Sequence, residues 1–115
     1  MVLTRVEIDL QALLHNFDNI KQRVGSNVKV MGVVKANAYG HGIVEVAQAL
    51  TSYGVDYLGV GFLQEGIFLR NNSIQTPILV LGGVLGGQIK EFLHHNLDIT
   101  VSSIALAERI EQEAA

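Results

Sequence analysis

One lysine in this sequence stands where an amine could act as a nucleophile. Lys35 closes the apolar run Val28-Lys29-Val30-Met31-Gly32-Val33-Val34 and opens the segment Lys35-Ala36-Asn37-Ala38-Tyr39-Gly40-His41-Gly42. An ammonium group among apolar walls has its charged form disfavoured, and the neutral amine can attack a carbonyl carbon to give a Schiff base. Tyr39 offers a phenolic hydroxyl that can donate to an anionic group, and Gly40 and Gly42 let the backbone take positive φ or approach a ligand closely. A solvated or snorkelling strand-end lysine fits the same pattern, so residue types alone leave both readings open.

The elements around Lys35 narrow its setting. Val6, Ile8 and Leu10 alternate with Glu7 and Asp9 as in a half-buried strand, and Leu13, Phe17, Ile20 and Val24 follow at helical spacing up to Gly25. The run from Val28 to Val34 has the composition of a strand covered on both faces. Within it, alternation puts Lys35 on the side of Met31 and Val33, with Val30, Gly32 and Val34 turned toward helices. Ile43, Ala47 and Leu50 predict a helix that Gly54 closes; Tyr57 to Gly61 predicts a second strand, and Gln64 to Arg70 a short helix.

Asn71, Asn72, Ser73 and Pro77 mark a loop, and Ile78 to Leu81 a third strand. Gly82, Gly83, Gly86 and Gly87 bracket the turn into a helix from Gln88 to His95, with Ile89, Phe92 and Leu93 as its buried stripe. Asp98 to Val101 predicts a fourth strand, and Ser102 or Ser103 a cap for a last helix carrying Leu106 and Ile110. Four strand-helix units in succession imply a parallel sheet. Their spacing of twenty-odd residues suits the wall of a β/α barrel of the TIM type, of which four units are half. The fold class is therefore α/β, the first half of a parallel β/α barrel, with Lys35 at the strand end where such barrels place their active sites. A half-barrel leaves edge strands and inward side chains uncovered, which predicts a homo-oligomer, most simply a dimer.

Composition excludes several classes. The 115 residues, 49% of them hydrophobic with mean hydropathy +0.32, amount to one domain with ample core. A net charge of −3 with eight scattered Lys and Arg residues gives no field for nucleic acid. The absence of cysteine removes disulfides, thiolate nucleophiles and thiolate metal ligands. Arg5, Glu7 and Asp9 interrupt any leader-like apolar stretch, and no apolar run has membrane-spanning length, so the expectation is a soluble cytoplasmic protein without membrane contact.

Other residues that could carry chemistry read as structural. His15, His94 and His95 lie on predicted helices without a carboxylate at ligand spacing, and His41 has no visible partner, so no metal is expected. The four glycines from Gly82 to Gly87 lack the lysine and hydroxyl of a phosphate loop and the acidic residue of a dinucleotide site. Tyr53 and Tyr57 are expected to pack, Lys29 to snorkel at the strand start, and Glu108, Glu111 and Glu113 to form a solvated face.

The segment Val33 to Gly42 resembles the cofactor-attachment signature of the alanine racemases. The similarity runs from Val6-Glu7-Ile8-Asp9-Leu10 through Tyr57-Leu58-Gly59-Val60 and Pro77-Ile78-Leu79-Val80-Leu81-Gly82 to Asp98-Ile99-Thr100-Val101-Ser102. The resemblance implies a pyridoxal 5'-phosphate-dependent isomerase that interconverts L- and D-alanine, supplying D-alanine for peptidoglycan, built as a barrel followed by a β domain and working as a dimer. Lys35 would then carry the cofactor and act as base on one face of the substrate; Tyr39 would bind the cofactor phosphate, and Leu81 would line the cofactor. Residues 1–115 would be the N-terminal portion of the barrel domain, without the β domain. The opposite-face base, the groups beside the pyridine ring and the later phosphate loop have no counterpart in this chain, so it is expected to be an incomplete, inactive piece. Two alternatives remain: a non-catalytic single-domain cofactor-binding barrel protein, and a half-barrel that serves assembly.

Overall fold

A computed structural model describes residues 3–115. Helix α1 (Leu10–Val24) begins where Asp9 accepts the Ala12 N–H at 3.1 Å, which satisfies one of the free amides of the first turn, and ends at Gly25 with φ 82°. Lys21 and Arg23 in its last turn complement the helix dipole. The expected strand over Val6 to Leu10 does not form. Residues 4–9 have no strand pairing, Val6 is exposed, and Leu10 is already helical, because alternation alone gives a strand nothing to bond with.

Four short strands follow: β1 (Met31–Val33), β2 (Tyr57–Val60), β3 (Ile78–Val80) and β4 (Asp98–Ile99). All pair in parallel, in the order β1-β2-β3-β4. Chain order without a reversal is the arrangement of a barrel wall, whereas a doubly wound sheet reverses at a switch point. The fold is thus α/β and a partial β/α barrel. Between the strands stand α3 (Ile43–Ser52), α4 (Leu63–Asn71) and α5 (Ile89–His94, preceded by a 3₁₀ turn at Gly86–Gln88), and α6 (Ile104–Ala114) follows β4. Ser103 caps α6 by accepting the Leu106 N–H at 3.1 Å. The remaining helical element, α2 (Lys35–Tyr39), is a special turn described below.

Alternation in the sheet matches the residue pattern. Val34, Leu58, Val60, Ile78 and Val80 are buried against the helices in one core with Phe17, Ala47, Leu50, Leu69 and Phe92. Burying one such aliphatic side chain contributes about 1.5 to 3 kcal/mol, so this face dominates stability. The other face carries Met31, Val33, Leu79 and Leu81, and Val33 is 38% exposed. The run Val28 to Val34 is therefore covered on one face and not on two. Among the described residues no wall stands across from its free side. The expected α5 stripe holds at Ile89 and Phe92, whereas Leu93 is exposed and its place in the core is taken by Leu97, which packs under Gly66.

The end of the sheet remote from Lys35 is fastened by polar groups. Arg70 donates from Nε to the His95 carbonyl at 2.9 Å, from Nη1 to the Ile74 and Thr76 carbonyls at 2.8 Å each, and from Nη2 to the Asn96 carbonyl at 3.0 Å. It thereby ties together the loops that precede β3 and β4, and its burial pushes its pKa down. Asp56 accepts the Val30 N–H at 2.7 Å, and this bond, reinforced by Lys21, holds its carboxyl below the usual range. Tyr57 and Asp98 fall on the free face, where the phenol donates to the carboxylate at 2.6 Å. That bond pushes the phenol pKa up, and the residue expected to pack makes a polar cross-strand bond.

Candidate active site

Lys35 lies at the C-terminal end of β1, immediately before a backbone conformation that its sequence does not suggest. Ala36, Asn37, Ala38 and Tyr39 all have positive φ, at 53°, 58°, 53° and 57°. They wind one left-handed turn, closed by the Gly40 N–H to the Ala36 carbonyl at 3.2 Å. Each L-residue in this region costs roughly 1 to 2 kcal/mol, so the turn persists only where its surroundings determine it. Gly40 (φ 90°) and Gly42 (φ 97°) take the positive φ expected of them. The three residues with the least steric reason to join them, Ala36, Ala38 and Tyr39, were missed; Asn37, which tolerates this region, was the available signal.

Several contacts pin the turn. Asn37 Oδ1 accepts the Ile43 N–H at 2.9 Å and so serves the open start of α3, while the Asn37 carbonyl accepts the Gly42 N–H at 3.0 Å. Ala38 is buried in the core, and its carbonyl lies 2.9 Å from His41 Nδ1, which gives that ring a partner. Glu65, in the first turn of α4, accepts the Ala36 N–H at Oε2 and the Gly61 N–H at Oε1, both at 2.7 Å. Sequence reasoning passed over Glu65. A glutamate at the third position of a helix commonly reaches back to amides before it, which was the legible hint.

Lys35 is exposed, not enclosed by the apolar walls expected from the sequence, because the free face of the sheet has no opposite wall among the described residues. Its Cβ lies 3.6 Å from where a side chain at Gly61 would begin. Leu81, 40% exposed at the end of β3, reaches over the same face, with Cδ1 3.4 Å from the corresponding point at Gly59. Tyr39 is 60% exposed and borders a groove of about 780 Å³ that runs along α1 and β1, lined also by Ile8, Leu13, Phe17 and Met31. Lys35 and Tyr39 thus share one turn, whereas Leu81 stands two strands away and outside that groove.

The histidines outside this turn are held by their own helices. His95 pairs with Glu91 at 3.4 Å, a carboxylate one helical turn away that the sequence reading overlooked, and packs edge-on against His94. His15 pairs with Asn19 at 3.3 Å. Among the described residues no three His, Asp or Glu side chains are grouped to hold a metal, and no helix is long and apolar enough to cross a membrane.

Residues 8–115 match the family profile of the alanine racemase N-terminal domain. The chain belongs to the alanine racemase family. Alanine racemase 1 of Caldanaerobacter subterraneus subsp. tengcongensis is 46% identical over 111 residues, which is 96% of this chain and 29% of that racemase. The alanine racemase of Geobacter sulfurreducens is 42% identical over 112 residues, covering 97% of this chain and 29% of its own length. Among solved structures, the alanine racemase of Clostridium difficile 630 superimposes with a TM-score of 0.90 at 42% identity, over 93% of this chain and 29% of that one. The alanine racemase from E. faecalis gives 0.87 at 36% identity, over 92% and 29%. The chain therefore spans about 29% of the length of the racemases it matches.

Proposed function

We propose that this chain is the cofactor-attachment portion of an alanine racemase, with Lys35 as the residue that binds pyridoxal 5'-phosphate. The observation that carries the reading is the strained left-handed turn directly after Lys35, in a chain whose relatives are alanine racemases. Strain of this kind collects at ligand sites, where it fixes side chains in advance. The residues fit the group. An accessible amine stands at a strand end, a phenol lies in the same turn, and the missing Cβ atoms of Gly59 and Gly61 give Met31 and Glu65 room to lie against the neighbouring sheet surface.

In this reading Lys35 Nζ would hold the cofactor, and its amine would move a proton to or from one face of the alanine α-carbon. Tyr39 Oη donates a hydrogen bond to the cofactor phosphate, and Leu81 supplies apolar surface beside the cofactor. A bound pyridoxal phosphate would supply the electron sink for the α-carbon. The chain's part is to orient Lys35 so that proton transfer occurs on one side only. The resemblance assigns no residue here to the opposite face, so capture of the cofactor, not racemisation, is the activity proposed for these 115 residues. The corresponding whole enzyme would be a cytoplasmic homodimer supplying D-alanine for peptidoglycan.

The test is chemical capture. After mixing with pyridoxal phosphate, borohydride reduction and peptide mapping, Lys35 should be labelled in preference to Lys21, Lys29 and Lys90, and Tyr39→Phe should weaken labelling by roughly 0.5 to 1.5 kcal/mol. Equal labelling of the four lysines would overturn the reading.

A further inference from the structure

Glu65 belongs to α4, yet its carboxylate is spent on the neighbouring strand ends. Oε2 accepts the N–H of Ala36, the residue after Lys35, and Oε1 accepts the N–H of Gly61, the residue beside the Lys35 Cβ; both bonds are 2.7 Å. One ionised group therefore grips the peptide that leaves Lys35 and the strand that flanks it. Hydrogen bonds to a carboxylate are about twice as strong as neutral ones. Ala36 is also the first residue of the left-handed turn, where φ 53° needs outside restraint.

We propose that Glu65 is a positioning residue for Lys35. It fixes the Lys35–Ala36 peptide plane against the end of β2 and so sets the direction in which the lysine side chain leaves the sheet; the use of that lysine for the cofactor rests on the function proposed above. The charge is required as well as the reach. In Glu65→Gln one acceptor oxygen is replaced by an NH₂ that faces an N–H, donor against donor, so one of the two bonds is lost. A lysine freed to swing no longer presents its amine in one geometry, and reactions that depend on placement slow accordingly.

The experiment compares the 115-residue chain with Glu65→Gln, and with Thr51→Val as a control that removes the hydroxyl bond to Thr76 at 2.9 Å, far from Lys35. In Glu65→Gln, amide exchange should quicken by about tenfold at whichever of Ala36 and Gly61 faces the new NH₂, the amount expected for one lost charge-assisted bond, while exchange at Leu58 and Val80 is unchanged. The Lys35 share of reduced cofactor label should fall severalfold toward that of Lys21, Lys29 and Lys90, and Thr51→Val should leave that share as it is. Unchanged exchange, or quickened exchange with an unchanged Lys35 share, overturns the role of Glu65. Should the unsubstituted chain show no preference for Lys35, the cofactor reading fails by itself. Glu65 is then judged by the rate at which acetic anhydride modifies Lys35 without cofactor: a changed rate in Glu65→Gln supports the positioning role and an unchanged rate overturns it. Should Glu65→Gln not fold by circular dichroism, the same measurements on Glu65→Asp decide, because the shorter acid keeps the charge but cannot span both amides.

Discussion

The carbonyl of Gly61 occupies the space into which a side chain at Gly82 would grow, and it accepts the Gly82 N–H at 2.9 Å. Parallel pairing of β2 with β3 is thereby prolonged past Val60 and Val80 to the strand ends nearest Lys35. Two backbones this close leave no room for a Cβ, and neither can yield without breaking the bond.

Gly82→Ala is accordingly expected to lower stability by about 1 to 3 kcal/mol, the range for forcing atoms into a packed site. Gly83 has open space around its missing Cβ and no positive φ. Gly83→Ala should change stability by less than about 0.5 kcal/mol. Urea unfolding of the two variants side by side checks the contrast, and equal changes would mean that the close approach to Gly61 does not govern Gly82.

Arg70 concerns the other end of the sheet. Its guanidinium answers four carbonyls in two loops, so truncation leaves several acceptors without a donor at once. Arg70→Ala should cost about 2 kcal/mol or more, and Arg70→Lys should recover less than half of it, because an ammonium cannot reproduce the planar fork. Denaturant midpoints at constant slope are the measurement.

Stability should also respond to pH at both extremes, with opposite signs. The Val30 N–H, helped by Lys21 against some desolvation, holds the Asp56 carboxyl below its ordinary range. Its contribution is present above the ordinary carboxylate pKa and is lost as the pH falls through the depressed folded-state value, below about pH 4. The hydrogen bond to Asp98 raises the phenol of Tyr57. Its contribution is present below the ordinary phenol pKa and is lost as the pH rises through the raised value, above about pH 10. Melting temperatures of Asp56→Asn should be flatter on the acid side than those of the parent chain, and those of Tyr57→Phe flatter on the alkaline side. Parallel curves for parent and variant would contradict the assignments.

What the sequence disclosed, and what it hid, follows from the range of the interactions. The switch between a period of two and a period near 3.6 is local, so the four strand-helix units, and the turning of Gly32 and Val34 toward the core, could be read residue by residue. Val6 and Ile8 alternate equally well and form no strand, because pairing needs a neighbour that local pattern does not reveal. The left-handed turn was hidden by alanine, whose intrinsic preference is the right-handed helix; buried Ala38 and the bonds from Asn37 and Glu65 override it. Glu65 itself escaped notice because its partner Ala36 lies 29 residues away. Lys35 was legible as a strand-end amine, but its exposure was not, since enclosure depends on a wall opposite the free face of the sheet.

That uncovered face leads to an expectation about association. Met31, Val33, Leu79 and Leu81 present apolar surface on the side away from the helices, with Val33 and Leu81 exposed, and the outer edge of β1 opens onto the groove beside α1. Apolar area removed from water contributes about 25 cal/mol per Å², so covering several hundred Å² outweighs part of the entropy lost on association. Among the described residues the outer edges of β1 and β4 also have no strand partner, which favours a second copy as the cover. The 115-residue chain should therefore show a mass that rises with concentration in light scattering. Val33→Lys, which sets a charge on the free face at the end of the edge strand β1, should shift that rise to higher concentration without lowering the melting temperature of the dilute protein. A monomer at every concentration, together with no binding of an apolar dye, would mean that the free face is covered by some part of the chain itself.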